Sequence, residues 1–132
     1  MQLAGKSTLT DSRMYNFAMH DITNRIADVL LDVEGTLRSH GKWDNNQPAV
    51  SALSSAEPFC MDTLRFEQWL QWILLPRMKN ILEQEKPLPA KSGIHVYAQA
   101  YLQKNDPPTT SLLRHIKLFD ELITLHSRVK RH

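Results

Sequence analysis

The sequence contains a single cysteine among its 132 residues and has no long apolar run. Cys60 alone excludes a disulfide within the chain and fits a reducing compartment. The longest nearly continuous apolar segment, residues 69–75, is far shorter than the roughly 20 residues of a membrane-spanning helix. The sequence does not open with a basic segment, an apolar stretch and a small-residue cleavage site. These absences predict a small cytoplasmic domain that folds around its own core.

The charge is nearly balanced, with 16 Lys and Arg against 14 Asp and Glu. A net charge of +2 gives no argument of its own for binding nucleic acid or a membrane surface. The four glycines stand far apart, so a glycine-rich phosphate loop is absent. None of the six histidines forms an i, i+4 pair, the spacing that places two metal ligands on one helical turn. We therefore expect no cofactor and no metal.

Strands have no signature in this sequence, because strict alternation is absent and the apolar residues recur at helical spacing. The first apolar stripe predicts an amphipathic helix that begins near Ile22 and is capped by Asp21. Gly41 stands at the position of a left-handed stop residue after this helix. Residues 41–62 then have no periodicity and predict a long connection.

The apolar residues of about 65–84 cover nearly every direction of a helix, which is typical of a central helix. Pro76 within it lacks an amide donor and would clash with the carbonyl of Trp72, so we predict a kink there. Further helices are expected over about 92–104 and, after a threonine cap, over about 109–128. The predicted fold is all-α: a bundle of about four antiparallel helices with a long loop between helices 1 and 2 and a proline-kinked central helix.

The domain organisation follows from the same patterns. Residues 1–18 are polar and have no sustained period, which predicts a loose N-terminal leader rather than a fold element. Residues 19–128 are predicted to form a single helical-bundle domain, and residues 129–132 a basic tail that complements a helix dipole or, less commonly, contacts phosphate. A central helix that is apolar all round is covered within one chain or by a second copy, so monomer and homodimer both stay open.

No pairing of a nucleophile with a base is apparent. Cys60 lies between Phe59 and Met61, and nothing in the sequence places a histidine beside it. His115 and His126 fall in the apolar arc of the last helix, but roughly 16 Å of helix axis separates them, too far to share an ion. We expect packed core histidines and no catalytic residues, and we lean against an enzyme.

Arg77 projects between Leu70 and Ile73 on an ideal helical wheel, in the middle of the apolar arc of the central helix. A buried guanidinium needs a partner. One interpretation is a structural ion pair with a carboxylate such as Asp62, or a side chain that the Pro76 kink displaces to solvent. The other is an arginine that binds an anion or a macromolecular partner.

Trp69 and Trp72 are neighbours across one helical turn. Such a pair either belongs to the core or, beside an arginine and a polar rim that includes Gln71, resembles an interaction hot spot. The binding candidates are Trp43, Phe59, Asp62, Trp69, Gln71, Trp72, Arg77 and Tyr97.

Several motifs follow one another in an order that is more informative than their composition. Trp43 is followed by Pro58-Phe59-Cys60-Met61-Asp62-Thr63, then Trp69-Leu70-Gln71-Trp72, then Pro76-Arg77-Met78 and then Pro87-Leu88-Pro89. This string resembles the YqcC-like family of small all-α bacterial proteins. The resemblance covers about residues 20–125, is densest between 59 and 89, and leaves the leader and the tail outside it.

The resemblance implies an all-α bundle and a gene neighbourhood that is often shared with a tRNA pseudouridine synthase of the C type. It supplies no catalytic residues. A pseudouridine synthase activity of the chain itself is not expected, because those enzymes hold a catalytic aspartate in a larger, sheet-containing domain.

The leading hypothesis is a cytoplasmic accessory or interaction protein that presents Trp43, Phe59, Trp72, Arg77 and Tyr97 to another macromolecule. The resemblance suggests a tRNA pseudouridine synthase or a related factor as the protein partner. The alternative is a small anionic-ligand binder or an unrecognised enzyme, with a pocket beside Pro76 and Arg77 and next to the 58–63 loop. Contact with RNA through the tail and Arg77 is a third hypothesis.

Overall fold

The computed structural model describes residues 3–130, with side chains from residue 12 onward. Within that range the regular structure is helical and no strand occurs, which confirms the all-α prediction. The elements are α1 (Leu3–Ser39), α2 (Val50–Leu53), a 3-10 turn (Pro58–Cys60), α3 (Phe66–Trp69), a π turn (Leu70–Leu74), α4 (Leu75–Glu83), α5 (Ile94–Tyr101) and α6 (Pro107–Lys130).

Four helical segments form the bundle: α1, the central helix (α3, the π turn and α4, residues 66–83), the shorter α5, and α6. α1 and α6 run antiparallel, because Lys42 just after α1 pairs with Asp106 just before α6, Nζ to Oδ2 at 3.0 Å. One apolar core joins all four segments, and its most fully buried side chains include Ile26, Leu37, Leu70, Met78, Leu112, Ile116 and Ile123. The predicted bundle of about four helices is confirmed.

Helix α1 begins at Leu3, so the prediction of a helical start near Ile22 is wrong. The amphipathic stripe begins where the core begins, but once a helix has formed, each further residue adds a hydrogen bond until a breaker intervenes. The side chains from Ser12 to Phe17 are exposed and add nothing to the core. The other end agrees with the prediction: Gly41 has φ 70°, and Lys42 N–H bonds to the Leu37 carbonyl at 2.8 Å.

The central helix occupies nearly the predicted range, and its distortion takes the form of a π turn directly before Pro76. Leu75 N–H bonds to the carbonyl of Leu70, five residues back. This wider turn moves the preceding backbone away from the proline ring, which would collide with the Trp72 carbonyl in a regular α-helix.

The last two helices differ from prediction mainly at their ends. α5 ends at Tyr101, and α6 begins at Pro107 rather than at a threonine, because a first-turn proline has no intrahelical N–H bond to lose. His126 is buried, which agrees with the prediction of a packed core histidine, whereas His115 is only half-buried. In the described part of the chain, no helix has both the length and the apolar character that crossing a membrane requires.

Candidate functional site

The loop after α1 is fastened to the central helix at Asp44. Gln71, which is 4% exposed, binds the Asp44 backbone twice: Oε1 accepts from Asp44 N–H at 2.8 Å, and Nε2 donates to the Asp44 carbonyl at 2.9 Å. The Asp44 carboxylate in turn accepts a hydrogen bond from Gln68 Nε2 at 3.0 Å and one from Trp72 Nε1 at 3.3 Å. We call Asp44, Gln68, Gln71 and Trp72 the Asp44 clasp.

The π turn contributes two of the clasp residues, Gln71 and Trp72. In a regular α-helix consecutive side chains diverge by about 100°. The wider π turn reduces the angle between them, so both side chains reach the same loop residue. Turns of this kind are frequent at functional sites, which makes the clasp the first place to look for function.

Trp43 is held against the end of α1 by Arg38. The Arg38 guanidinium carbon lies 4.3 Å from the centroid of the Trp43 ring, a cation–π contact. The same side chain pairs with Glu34, Nε to Oε2 at 2.8 Å, one helical turn away. Glu34, Arg38 and Trp43 therefore form a continuous polar and aromatic wall beside the clasp.

A groove of about 720 Å³ lies between α1 and the central helix, with the clasp at one end. Its α1 side repeats at helical spacing through Ala27, Leu31, Glu34 and Arg38, and its central-helix side repeats through Trp72, Pro76, Lys79 and Glu83. We call this the tryptophan groove, because Trp43 and Trp72 both line it. Leu31 is 66% exposed on its rim, a solvent-facing leucine beside two indoles.

Phe59 is the centre of a separate aromatic cluster. Its ring lies 4.7 Å from Trp69 and 4.6 Å from Tyr97, measured between centroids, and it also contacts Phe66 and Tyr101. Trp69 is buried here, whereas Tyr97 is 45% exposed. The cluster therefore packs the 3-10 turn and α5 against the start of the central helix.

A second cavity, of about 290 Å³, opens beside this cluster, and we call it the Phe59 cavity. It is lined by Lys42, Phe59, Met61, Leu64, Arg65, Phe66, Glu67, Tyr101, Gln103 and Asp106. It shares no lining residue with the tryptophan groove. It lies next to the 58–63 loop, where the alternative hypothesis expects a pocket, but its lining cations are Lys42 and Arg65.

Arg77 is exposed, so its predicted place in the apolar arc is wrong. The extra residue in the π turn rotates every later side chain by about 100° relative to an ideal wheel. Among the described residues Arg77 forms no ion pair with Asp62, and it lines neither cavity. The alternative pocket beside Pro76 and Arg77 is thus corrected: Pro76 lines the tryptophan groove and Arg77 does not.

The structure divides the sequence-predicted candidates into separate groups. Trp43, Gln71 and Trp72 line the tryptophan groove, while Phe59, Trp69 and Tyr97 belong to the aromatic cluster. Asp62 stands apart, exposed, and accepts a hydrogen bond from Ser55 Oγ.

Asp44, Arg38 and Leu31 are functional candidates that the sequence did not predict. Asp44 has no local signal, because its hydrogen-bond partners lie 24 to 28 residues further along the chain. Leu31 did carry a signal: it falls outside the apolar stripe of α1, which marks an exposed large hydrophobic side chain.

Known proteins resemble this chain in sequence and in structure. A family model described as tRNA pseudouridine synthase C matches residues 25–122. The uncharacterized protein YqcC of Escherichia coli K12 is 33% identical over 99 residues, 75% of this chain and 91% of that protein. The solution NMR structure of YqcC from E. coli gives a TM-score of 0.68 at 32% identity, covering 78% of this chain and 88% of that one.

A protein named tRNA pseudouridine synthase C, from Pectobacterium carotovorum, is 42% identical over 66 residues. This match covers 50% of the present chain but only 18% of the Pectobacterium protein. More than four fifths of that protein therefore have no counterpart in the alignment.

Proposed function

Given that this chain belongs to the YqcC-like family, we propose that it is a cytoplasmic accessory protein that acts by binding a protein partner. The tryptophan groove carries the proposal. A site that binds a macromolecule needs exposed apolar area next to aromatic anchors and charged rims, and the groove combines these.

The groove has the shape of a seat for a helix. Two helical rims with side chains at i, i+4, i+7 and i+11 face each other, so a third helix fits its ridge between them. Leu31, Leu75 and Pro76 supply apolar contacts, and Lys79 and Glu83 supply rim charges of both signs. We propose an amphipathic helix of the partner as the occupant.

The relatives favour a tRNA pseudouridine synthase of the C type as the partner. The Pectobacterium protein of that name contains a region similar to this chain within a much longer polypeptide. Joining two binding modules in one chain raises their effective concentration, an arrangement suited to modules that work together. The short extent of the match supports association rather than a synthase activity of this chain.

A direct binding measurement tests the proposal. Purified tRNA pseudouridine synthase C from the same source organism is titrated with this protein by isothermal calorimetry. Leu31→Asp places a charge in the groove without disturbing the core, because Leu31 is 66% exposed. Leu118→Asp is the matched control, since Leu118 is an exposed leucine on α6 that does not line the groove.

We expect binding by the wild type and by Leu118→Asp, and at least about tenfold weaker binding by Leu31→Asp. Equal affinity of the two variants, or no binding by the wild type, rejects the proposal. Two further outcomes also contradict it: a homodimer that Leu31→Asp dissociates assigns the groove to a second copy, and steeply salt-dependent tRNA binding assigns the function to RNA.

A further inference from the structure

The Phe59 cavity combines an aromatic floor with charges of both signs. Phe59, Phe66 and Tyr101 all line it, and their ring centroids form a nearly equilateral triangle with sides of 5.8, 6.0 and 6.2 Å. A further flat ring laid on this triangle gains tilted and edge contacts with all three rings.

The charged residues that line the cavity differ in whether they already have an ion-pair partner. Lys42 and Asp106 neutralise each other at 3.0 Å. Arg65 is 62% exposed and has only a long contact with Asp44, Nη2 to Oδ1 at 3.7 Å. Glu67 is half-buried and takes part in none of the ion pairs formed among the described residues. Arg65 therefore offers free N–H donors to an anion, and Glu67 offers a carboxylate to a cation.

These two groups favour one class of ligand. A ligand with a single charge pairs with one of them and leaves the other to solvent, and an uncharged ligand pairs with neither. A zwitterion matches both, with its carboxylate at Arg65 and its ammonium at Glu67. The volume of about 290 Å³ corresponds to about ten water-sized volumes of about 30 Å³ each, enough for one ring and a short charged backbone.

The backbone at the cavity is also unusual. Phe59 and Cys60 are consecutive non-glycine residues with φ of 58° and 50°. Left-handed conformations at such residues are held only where the surroundings enforce them, and they concentrate at ligand sites. In this chain the strained pair positions the Phe59 ring at the centre of the aromatic cluster and in the cavity wall.

We infer that the Phe59 cavity binds a small zwitterion that carries an aromatic ring, of the class of the free aromatic amino acids. The ring lies on Phe59, Phe66 and Tyr101, the carboxylate faces Arg65, and the ammonium faces Glu67. This site shares no lining residue with the tryptophan groove, so its test is separate from that of the proposed function.

The test is an NMR titration of the full chain, labelled with ¹⁵N, with L-phenylalanine and L-tryptophan. We expect saturable shifts at the residues that line the cavity and a Kd of about 0.1–1 mM, the range for a good ligand of this size. L-Alanine removes the ring, 3-phenylpropionate removes the ammonium and phenethylamine removes the carboxylate. Each is expected to bind about tenfold more weakly than L-phenylalanine.

Glu67→Gln isolates the proposed ammonium contact. It should weaken L-phenylalanine binding by about tenfold without weakening 3-phenylpropionate binding, because that ligand has no ammonium and its carboxylate gains nothing from Glu67. Glu121→Gln is the matched control, since Glu121 is an exposed acid on α6 that lines neither cavity, and it should change neither affinity. Circular dichroism verifies that both variants fold.

Three results would overturn the inference. One is the absence of saturable shifts up to about 10 mM amino acid, well above the expected Kd. Another is equal affinity for L-phenylalanine and L-alanine or 3-phenylpropionate. The third is a Glu67→Gln variant that loses both phenyl ligands to the same extent, which would indicate a structural role for Glu67 rather than contact with an ammonium group.

Discussion

Gln71 grips the backbone of Asp44 across 27 residues of sequence, one end of its amide accepting and the other donating a hydrogen bond. Both ends of its buried amide therefore have a partner, and within the described residues no buried side-chain nitrogen or oxygen lacks one. This contact fixes the loop that carries Trp43 and thereby the end of the tryptophan groove.

Replacing Gln71 with alanine should lower the free energy of unfolding by about 2–3 kcal/mol, because two hydrogen bonds to buried or half-buried backbone groups are lost. Urea unfolding followed by circular dichroism measures the change. Gln84→Ala, at an exposed position after the same helix, should stay within about 0.5 kcal/mol of the wild type. Similar decreases in the free energy of unfolding for both variants would show that the hydrogen bonds of Gln71 to Asp44 contribute little.

Asp120 on α6 caps the N-terminus of α5. Its carboxylate accepts hydrogen bonds from Ser92 Oγ at 2.6 Å, Ile94 N–H at 3.2 Å and His95 N–H at 2.9 Å. Asp120→Ala should cost about 2 kcal/mol and speed hydrogen exchange in the first turn of α5. Glu121→Ala, an exposed acid next in sequence, is the control, and unchanged exchange in α5 after Asp120→Ala would refute the cap.

Phe59 provides a test of backbone strain, because the usual order of stability between alanine and glycine variants should be reversed at this position. Glycine usually destabilises relative to alanine, but at φ 58° glycine fits without strain. Phe59→Ala should cost about 2–3 kcal/mol through lost ring contacts, somewhat less than for a fully buried phenylalanine. Phe59→Gly should be about 1 kcal/mol more stable than Phe59→Ala in chemical denaturation. The opposite order would mean that this turn relaxes when the ring is removed.

The two histidines of α6 predict a pH dependence of stability. Burial lowers the pKa of His126, with Lys130 adding to the effect. Burial also lowers the pKa of His115, where Arg114 lowers it further and Asp32 opposes the change. Just below the ordinary histidine pKa of about 6.5, the unfolded chain binds more protons than the folded chain. The neutral histidines therefore contribute their full stability above this pH, and the contribution is lost as the pH falls toward their lowered pKa values.

The free energy of unfolding should therefore fall between about pH 7 and pH 5, a range that lies above the titration of ordinary carboxylates. The double variant His115→Gln/His126→Gln should have a flatter profile over the same range, whatever its stability at pH 7. Urea titrations at each pH provide the measurement, and parallel profiles for the two proteins would contradict the assignment to these histidines.

Most of the fold could be predicted from the sequence because helical periodicity is a local property. The stripe from Ile22 to Leu37 identified the core face of α1, the all-round apolar segment identified the central helix, and Gly41 marked the end of α1. Each inference needed only neighbours within one or two helical turns. The start of α1 was misplaced because its first turns carry no apolar stripe, although nothing in them stops a helix.

The candidate site was less accessible to sequence reasoning. Trp43, Gln71 and Trp72 were among the binding candidates, but Asp44, which binds Gln71 and Trp72, was not. Arg77 was misplaced because a helical wheel assumes a constant turn, and the π turn changes the phase of everything after it.

By itself, the sequence determined the helical class, the buried faces, the central helix and membership of the family, because these depend on local spacing and on the order of motifs. Only the tertiary structure decided that Asp44 binds Gln68, Gln71 and Trp72, that Arg77 faces solvent and that two separate cavities exist. Those features depend on contacts between residues 24 or more apart and on how one widened helical turn accommodates Pro76. Contacts between such distant residues, and the rotation of the side chains after the π turn, arise only when the helices pack.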